Sequence, residues 1–331
     1  MLIRQTAPVF GAVGRLVPAE GDWNLSVAYR GLESDDHYSG SEHQRVRDRE
    51  GSYVVNTQQA LDIGISYMAT DRLSFTLGVP LVKSSWAVPT PIRPVPGPRE
   101  KQEASGLGDV SLTGRYWAFA PESRHNVSIG LGVKAPTGEY DVTQEYRNID
   151  GTNLAVKAVD QSVQPGDGGW GILLDVQAFR HFSKATLFAS GTYLANPRDT
   201  NGTPSILVGL GLGSTPAFIQ EGILVNSVPD QYLVRLGAAM PIGESGFGAS
   251  LAYRVEGLPR YDLIGDSHGW RRPGYEMFIE PGISYARGAA TWLLNVPIGF
   301  YRNREPNPYS GREGDATFPD YILLTGVSWR F

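Results

Sequence analysis

The chain has 331 residues with 40 Gly, 16 Tyr, 4 Met and no Cys, and 29 Lys plus Arg against 34 Asp plus Glu leave a formal net charge of −5. The absence of cysteine excludes thiolate chemistry, disulfides and cysteine-ligated metals, and the mild acidity gives no reason to expect nucleic acid as a partner. No run reaches the roughly 18 apolar residues of a helical membrane span.

The start, MLIRQTAPVF, lacks the compact apolar core of a secretory signal. For an exported protein the numbering would then begin at the mature chain. Residues 1–22 read as an N-terminal periplasmic segment, and residues 23–331 as one all-β domain.

From Trp23 onward, apolar residues alternate with small or polar ones in twelve segments, each about 10 residues long. The first sets Leu25, Val27 and Tyr29 against Asn24, Ser26 and Arg30. Leu61, Ile63 and Ile65 then oppose Asp62 and Gly64, and Phe75, Leu77 and Val79 oppose Thr76 and Gly78. Leu112 and Tyr116 oppose Thr113 and Arg115; Ile129, Leu131 and Val133 oppose Gly130, Gly132 and Lys134. Next come Ile172, Leu174 and Val176 against Asp175, and Leu187, Ala189 and Tyr193 against Ser190 and Thr192. The last third sets Val234 against Arg235, Tyr253 against Arg254, Met277 and Ile279 against Glu276 and Glu280, and Leu294 against Asn295. Tyr321 to Phe331 closes the series, with Leu323, Val327, Trp329 and Phe331 on one face and Arg330 on the other.

The links after even-numbered segments are short, as at Thr70–Arg72, Pro121–His125 and Gly243–Gly246, whereas those after odd ones are long, as at Asp35–Ser52, Ala87–Gly106 and Thr137–Gly169. Short turns at one end and long loops at the other are the pattern of a transmembrane antiparallel β-barrel. Twelve strands are expected, with fourteen as the alternative if Thr203–Val225 forms an extra hairpin. An even count puts both termini on the periplasmic side. A soluble sandwich alternates too, but the turn asymmetry, the aromatic strand ends and the terminal Phe331 together favour an outer-membrane barrel. Outer-membrane lipid and lipopolysaccharide are then its surroundings.

On this reading Arg30, Asp62, Arg115, Lys134, Asp175, Arg235, Arg254, Glu276, Glu280, Asn295 and Arg330 line a pore. Rows of opposite charge bias which solutes pass, though they can also pair and fill the lumen. Val88–Pro98, with five prolines, and the apolar Thr203–Val225 are the candidates to fold into the mouth. The function expected is passive diffusion of small solutes, aromatic or anionic. The alternatives are a plugged structural barrel or a hydrolase using His37 beside Asp35 and Asp36, or Ser267 with His268 and Asp266. No cofactor is indicated, and the five histidines never fall at a spacing that puts two side by side on one strand face. GLGLG at Gly209–Gly213 does not complete a dinucleotide fingerprint.

The segments GLGDVSLTGRYW (Gly106–Trp117), KAPTGEYDV (Lys134–Val142), NSVPDQYLVRLGAAMPIG (Asn226–Gly243) and EGLPRYDLIGDSHGWRRPGYEMFIEPGISY (Glu256–Tyr285) resemble a family of bacterial outer-membrane proteins labelled with the meta-cleavage pathway of phenol degradation. The resemblance implies a transporter-like barrel and a link to uptake of aromatic compounds. The aromatic C-terminus likewise resembles the signal by which the barrel-assembly machinery recognises its clients.

Overall fold

The computed structural model describes residues 19–309, 311 and 314–331. Most of the segment assigned to the periplasm, residues 1–18, lies outside the described residues. Twelve wall strands follow in chain order: β1 (Trp23–Ser39), β2 (Val55–Met68), β3 (Leu73–Pro89), β4 (Arg99–Leu107 and Ser111–Trp117), β5 (His125–Lys134), β6 (Gly171–His181), β7 (Thr186–Ala195), β8 (Gln231–Pro241), β9 (Phe247–Leu258), β10 (Gly274–Arg287), β11 (Ala290–Asn295 and Ile298–Arg304) and β12 (Ala316–Arg330). Each pairs antiparallel with the next, and β12 pairs with β1 from Asn24↔Arg330 to Tyr38↔Ala316. Closure leaves the wall no open edge, the condition for crossing a bilayer with strands.

The polarity of the wall is inverted relative to a soluble barrel. Along β5 burial alternates at every residue, and it is Ile129 and Leu131 that are exposed, at 66% and 62%, while Asn126 and Ser128 are buried. The same holds on β6, where Ile172, Leu174 and Val176 face out and Asp175 and Gln177 face in. Only a lipid exterior makes such a surface favourable. At the end carrying the short turns, Trp23 packs on Tyr67 with ring centroids 4.8 Å apart, and Tyr285 touches both Phe247 and Trp292, forming part of an aromatic girdle.

The loops at the other end fold over the mouth. The first carries a short helix (Arg45–Glu50), and the third a hairpin of Thr143–Tyr146 with Ala155–Ala158. Within the fourth, Thr200–Pro204 pairs with Val225–Ser227 around two helical turns, Ile206–Gly209 and Pro216–Gln220. That hairpin forms its own two-stranded sheet and does not join the wall, so the barrel has twelve strands rather than fourteen. Inside, near the short turns, Met68, Trp117, Phe179 and Phe188 form a buried apolar layer, with Trp117 and Phe179 edge to face at 5.8 Å.

Candidate functional site: a charged lumen beneath a capped cavity

Above the apolar layer the lumen is filled by ion pairs. Arg235 on β8 donates through Nε to Glu280 of β10 at 3.1 Å, Arg254 on β9 donates to Glu256 at 2.8 Å and also reaches Glu280, and Asn295 donates to Glu280 at 2.7 Å. Arg30 on β1 closes the chain by donating to Glu256 at 2.5 Å. β1 and β9 are not neighbours in the wall, so this bond crosses the lumen. Glu276 faces Arg302 at 3.1 Å. These carboxylates and arginines are almost wholly buried, which buried charges tolerate only when paired and hydrogen-bonded.

Arg115 and Asp175 pair at 2.6 Å although β5 separates their strands. Both stand opposite Gly130 in register. A Cβ there would lie 3.2 Å from that of Asp175 and 3.3 Å from Thr113, so glycine leaves the room through which the pair meets. Asp62 is also buried, and Arg330 is half-buried on the inner face at the short-turn end.

Lys134, at the outer end of β5, holds Asp167 and, at 3.4 Å, Asp109. Asp167 belongs to the segment that most departs from expectation. Every residue from Ala158 to Gly169 is buried, so the third loop plugs the mouth. It is polar, and it is stable there because its groups are matched. Asp160 accepts from Arg272, Asp160 N–H donates to Gln102 at 2.8 Å, Ser162 meets Asn56, and Asn201 donates to the Asp167 carbonyl at 3.0 Å. Burial works against the Asp160 charge, yet the Arg272 guanidinium and the Ser162 hydroxyl and amide hold its carboxyl below the ordinary range.

The two segments expected to turn inward do so in part. Trp86, Val88 and Thr90 are buried, but the proline-rich tip points out, with Val95 at 73% exposure. Ile206 and Leu210 of the fourth loop are buried against Trp86, Val88, Tyr146, Val159 and Val163. Under this cap lies a cavity of about 230 Å³. Its lining mixes apolar Trp86, Val88, Ile206 and Leu210 with polar Asn56, Glu256 and Arg304. It therefore sits between the plug, represented by Ser162, and the charged layer, represented by Glu256.

The hydrolase candidates are not assembled. His37 faces Asp315, at 2.6 Å from Nδ1, rather than Asp35 or Asp36, and its Nε2 accepts the Val54 N–H at 2.8 Å. Because a backbone N–H can only donate, Nε2 is the bare nitrogen and Nδ1 carries the proton, leaving neither free for a hydroxyl. Ser267 accepts from the Asp262 N–H at 2.8 Å, whereas His268 stacks on Tyr309 and faces Asp199 at 3.4 Å.

Tertiary contact does gather histidine with acids: Asp36, His43 and Asp48, and Asp199, Asp266 and His268, each place three ligand-type atoms within 4.8 Å of one another. Neither trio lines the cavity. Arg304, Asn56 and Trp270 were not marked by the sequence as site residues. A strand-end arginine in YRNR reads as surface, and only the alternation of Arg302 and Arg304 against Tyr301 and Asn303 hints that both turn inward.

Residues 44–184 match the family described as "Putative MetA-pathway of phenol degradation". Comparison with curated proteins finds no match. Among solved structures, an outer membrane channel from Pseudomonas putida F1 superposes with a TM-score of 0.61 at 14% identity, covering 98% of this chain and 100% of that one. The translocator domain of the autotransporter NalP from Neisseria meningitidis gives 0.49 at 12% identity, over 94% and 89%. The Pseudomonas putida toluene transporter TodX gives 0.43 at 10% identity, over 95% and 90%. With its lipid-facing apolar band, its closed twelve-stranded wall and the fold it shares with the Pseudomonas putida F1 channel, the chain is a β-barrel of the bacterial outer membrane, set in lipid and lipopolysaccharide, and similar over residues 44–184 to the phenol-degradation family.

Proposed function

We propose that the protein is a passive channel for small solutes, aromatic or anionic, whose passage is set by the loops at its mouth rather than by the wall. The observation that carries this reading is the cavity of about 230 Å³ held between plug and charged layer. For comparison, an engineered apolar cavity of about 150 Å³ holds benzene. In this reading Arg30, Asp62, Arg115, Lys134, Asp175, Arg235, Arg254, Glu276, Glu280, Asn295 and Arg330 line the path, and their field biases the charge of what passes.

Single-channel recording in a planar bilayer tests it. The intact protein should give small, stable steps under a salt gradient, and replacing the plug, residues 158–169, by a Gly-Ser linker should enlarge them several-fold. A reversal potential showing cation preference would remove the anionic part of the proposal. The buried apolar layer of Trp117, Phe179 and Phe188 favours a second reading, a plugged structural barrel. Silence from both the intact and the loop-replaced protein would establish that one instead.

A further inference from the structure

The capped cavity contains an arginine that pairs with no carboxylate among the described residues. Arg304, 6% exposed, stands at the outer end of β11, where its backbone N–H donates to Gly40 at 2.7 Å. Its Nη1 donates to the carbonyls of Arg272 and, at 3.0 Å, Pro273. The guanidinium carbon lies 4.5 Å from the centre of the Phe318 ring, and Nε is buried with no partner among the described residues.

Other buried arginines around it have carboxylates: Arg254 has Glu256 and Glu280, Arg271 has Asp262, Arg272 has Asp160, and Arg302 has Glu276 and Asp320. Arg304 pairs with none among the described residues. The two carboxylates that share the cavity wall are already engaged, Asp315 by His37 and Arg47, and Glu256 by Arg30 and Arg254.

A second donor faces the same need. Trp270, also on the cavity wall, buries its Nε1 without a partner among the described residues. An uncompensated buried charge is costly, and so is an unmet buried donor. Both costs fall if an anion enters. Trp86, Val88, Ile206 and Leu210 give the wall apolar surface that suits a flat ring, beside polar groups such as Asn56, Gln58 and Ser162. A carboxylate matches the guanidinium fork better than a neutral hydroxyl does.

We infer that the cavity is a binding site for a single-ring aromatic carboxylate, its ring against Trp86 and Ile206 and its carboxylate completing Arg304 and Trp270. This rests on the channel reading only in making that anion the solute.

The test is a fluorescence titration of the full chain in detergent micelles with sodium benzoate, and with phenol and acetate alongside, since two cavity-lining tryptophans report occupancy. Benzoate should saturate the signal at a concentration at least tenfold below phenol, and acetate should have no effect. Arg304→Gln should weaken benzoate at least tenfold and leave phenol within twofold, and Arg304→Lys should retain part of the affinity. Benzoate binding no tighter than phenol, or unchanged in Arg304→Gln, would overturn the assignment. Heat-modifiable migration on a gel checks that each variant is folded. If Arg304→Gln does not fold, Trp270→Phe decides, with several-fold weaker benzoate expected and no change counting against the site. Saturable benzoate binding in a protein that passes no current would sink the channel reading and leave the site standing. Current unaffected by benzoate, with no fluorescence change, would do the reverse.

Discussion

The lumen and the cavity above it are both lined by buried arginines, and they treat them in opposite ways. In the lumen Arg254 sits between Glu256 and Glu280, Arg235 shares Glu280, and Arg30 reaches across from β1 to Glu256. In the cavity Arg304 has two carbonyls and an aromatic face but, among the described residues, no carboxylate. A saturated network holds opposite walls together, and an incomplete one is a place where something else can finish the set. Burial alone does not separate architecture from binding; the count of partners does.

The largest expected effect breaks the saturated side. Arg254→Ala leaves Glu256 and Glu280 short of a partner in a closed interior, and should cost about 3–5 kcal/mol in denaturant unfolding from lipid vesicles. A loss under about 1 kcal/mol would mean that water reaches this layer and that the network is looser than drawn. Moving a like charge to the outer face of the same wall sharpens the contrast. Leu131→Arg should cost about 2–4 kcal/mol by the same assay, because lipid offers no carboxylate, and a neutral result would argue against β5 standing in the bilayer.

The cap should yield separately from the wall. Ile206→Ala empties part of the cluster around Trp86 and should cost about 2–3 kcal/mol, read as faster hydrogen exchange over Ala158–Gly169 with the barrel's unfolding midpoint unchanged. If the barrel midpoint moved with it, cap and wall would be one cooperative unit.

Acid probes the same element more gently. Asp160 is held below the ordinary carboxylate range, so its contribution is complete above the unfolded pKa of about 4 and is lost as pH falls through the lower folded value. Exchange protection in the plug should thus persist down to about pH 4 and weaken below it, and Asp160→Asn should remove that dependence. Smallest in stability is Phe331→Ala, within about 0.5 kcal/mol, because the ring is exposed and only its backbone pairs with Trp23. The assembled fraction in cells should nonetheless drop if the C-terminal aromatic is what the assembly machinery reads.

Much of the wall was legible because its cause is local. A strand between lipid and a polar interior must alternate with period two, and residues such as Ile129 against Gly130, or Leu174 against Asp175, carry that requirement in adjacent positions. The same alternation placed Arg30, Arg235, Arg254 and Glu280 on the inner face. Their partners were not legible, because Arg30 meets Glu256 only after the wall has closed. Ala158–Gly169 left no mark at all, since a polar, aperiodic stretch looks the same whether water or matched side chains satisfy it. The more apolar Thr203–Val225 drew attention but only helps to roof the cavity.

The sequence by itself therefore determined a closed strand wall, its lipid face, its short-turn end and the sign of the residues turned inward, because each follows from forces acting along one strand. Tertiary structure alone decided which loop plugs the mouth, which charges are cancelled and which arginine meets no carboxylate among the described residues. Those depend on residues far apart in the chain being brought within hydrogen-bond distance, as Asp160 and Arg272 are at 3.0 Å, and no local pattern encodes that meeting.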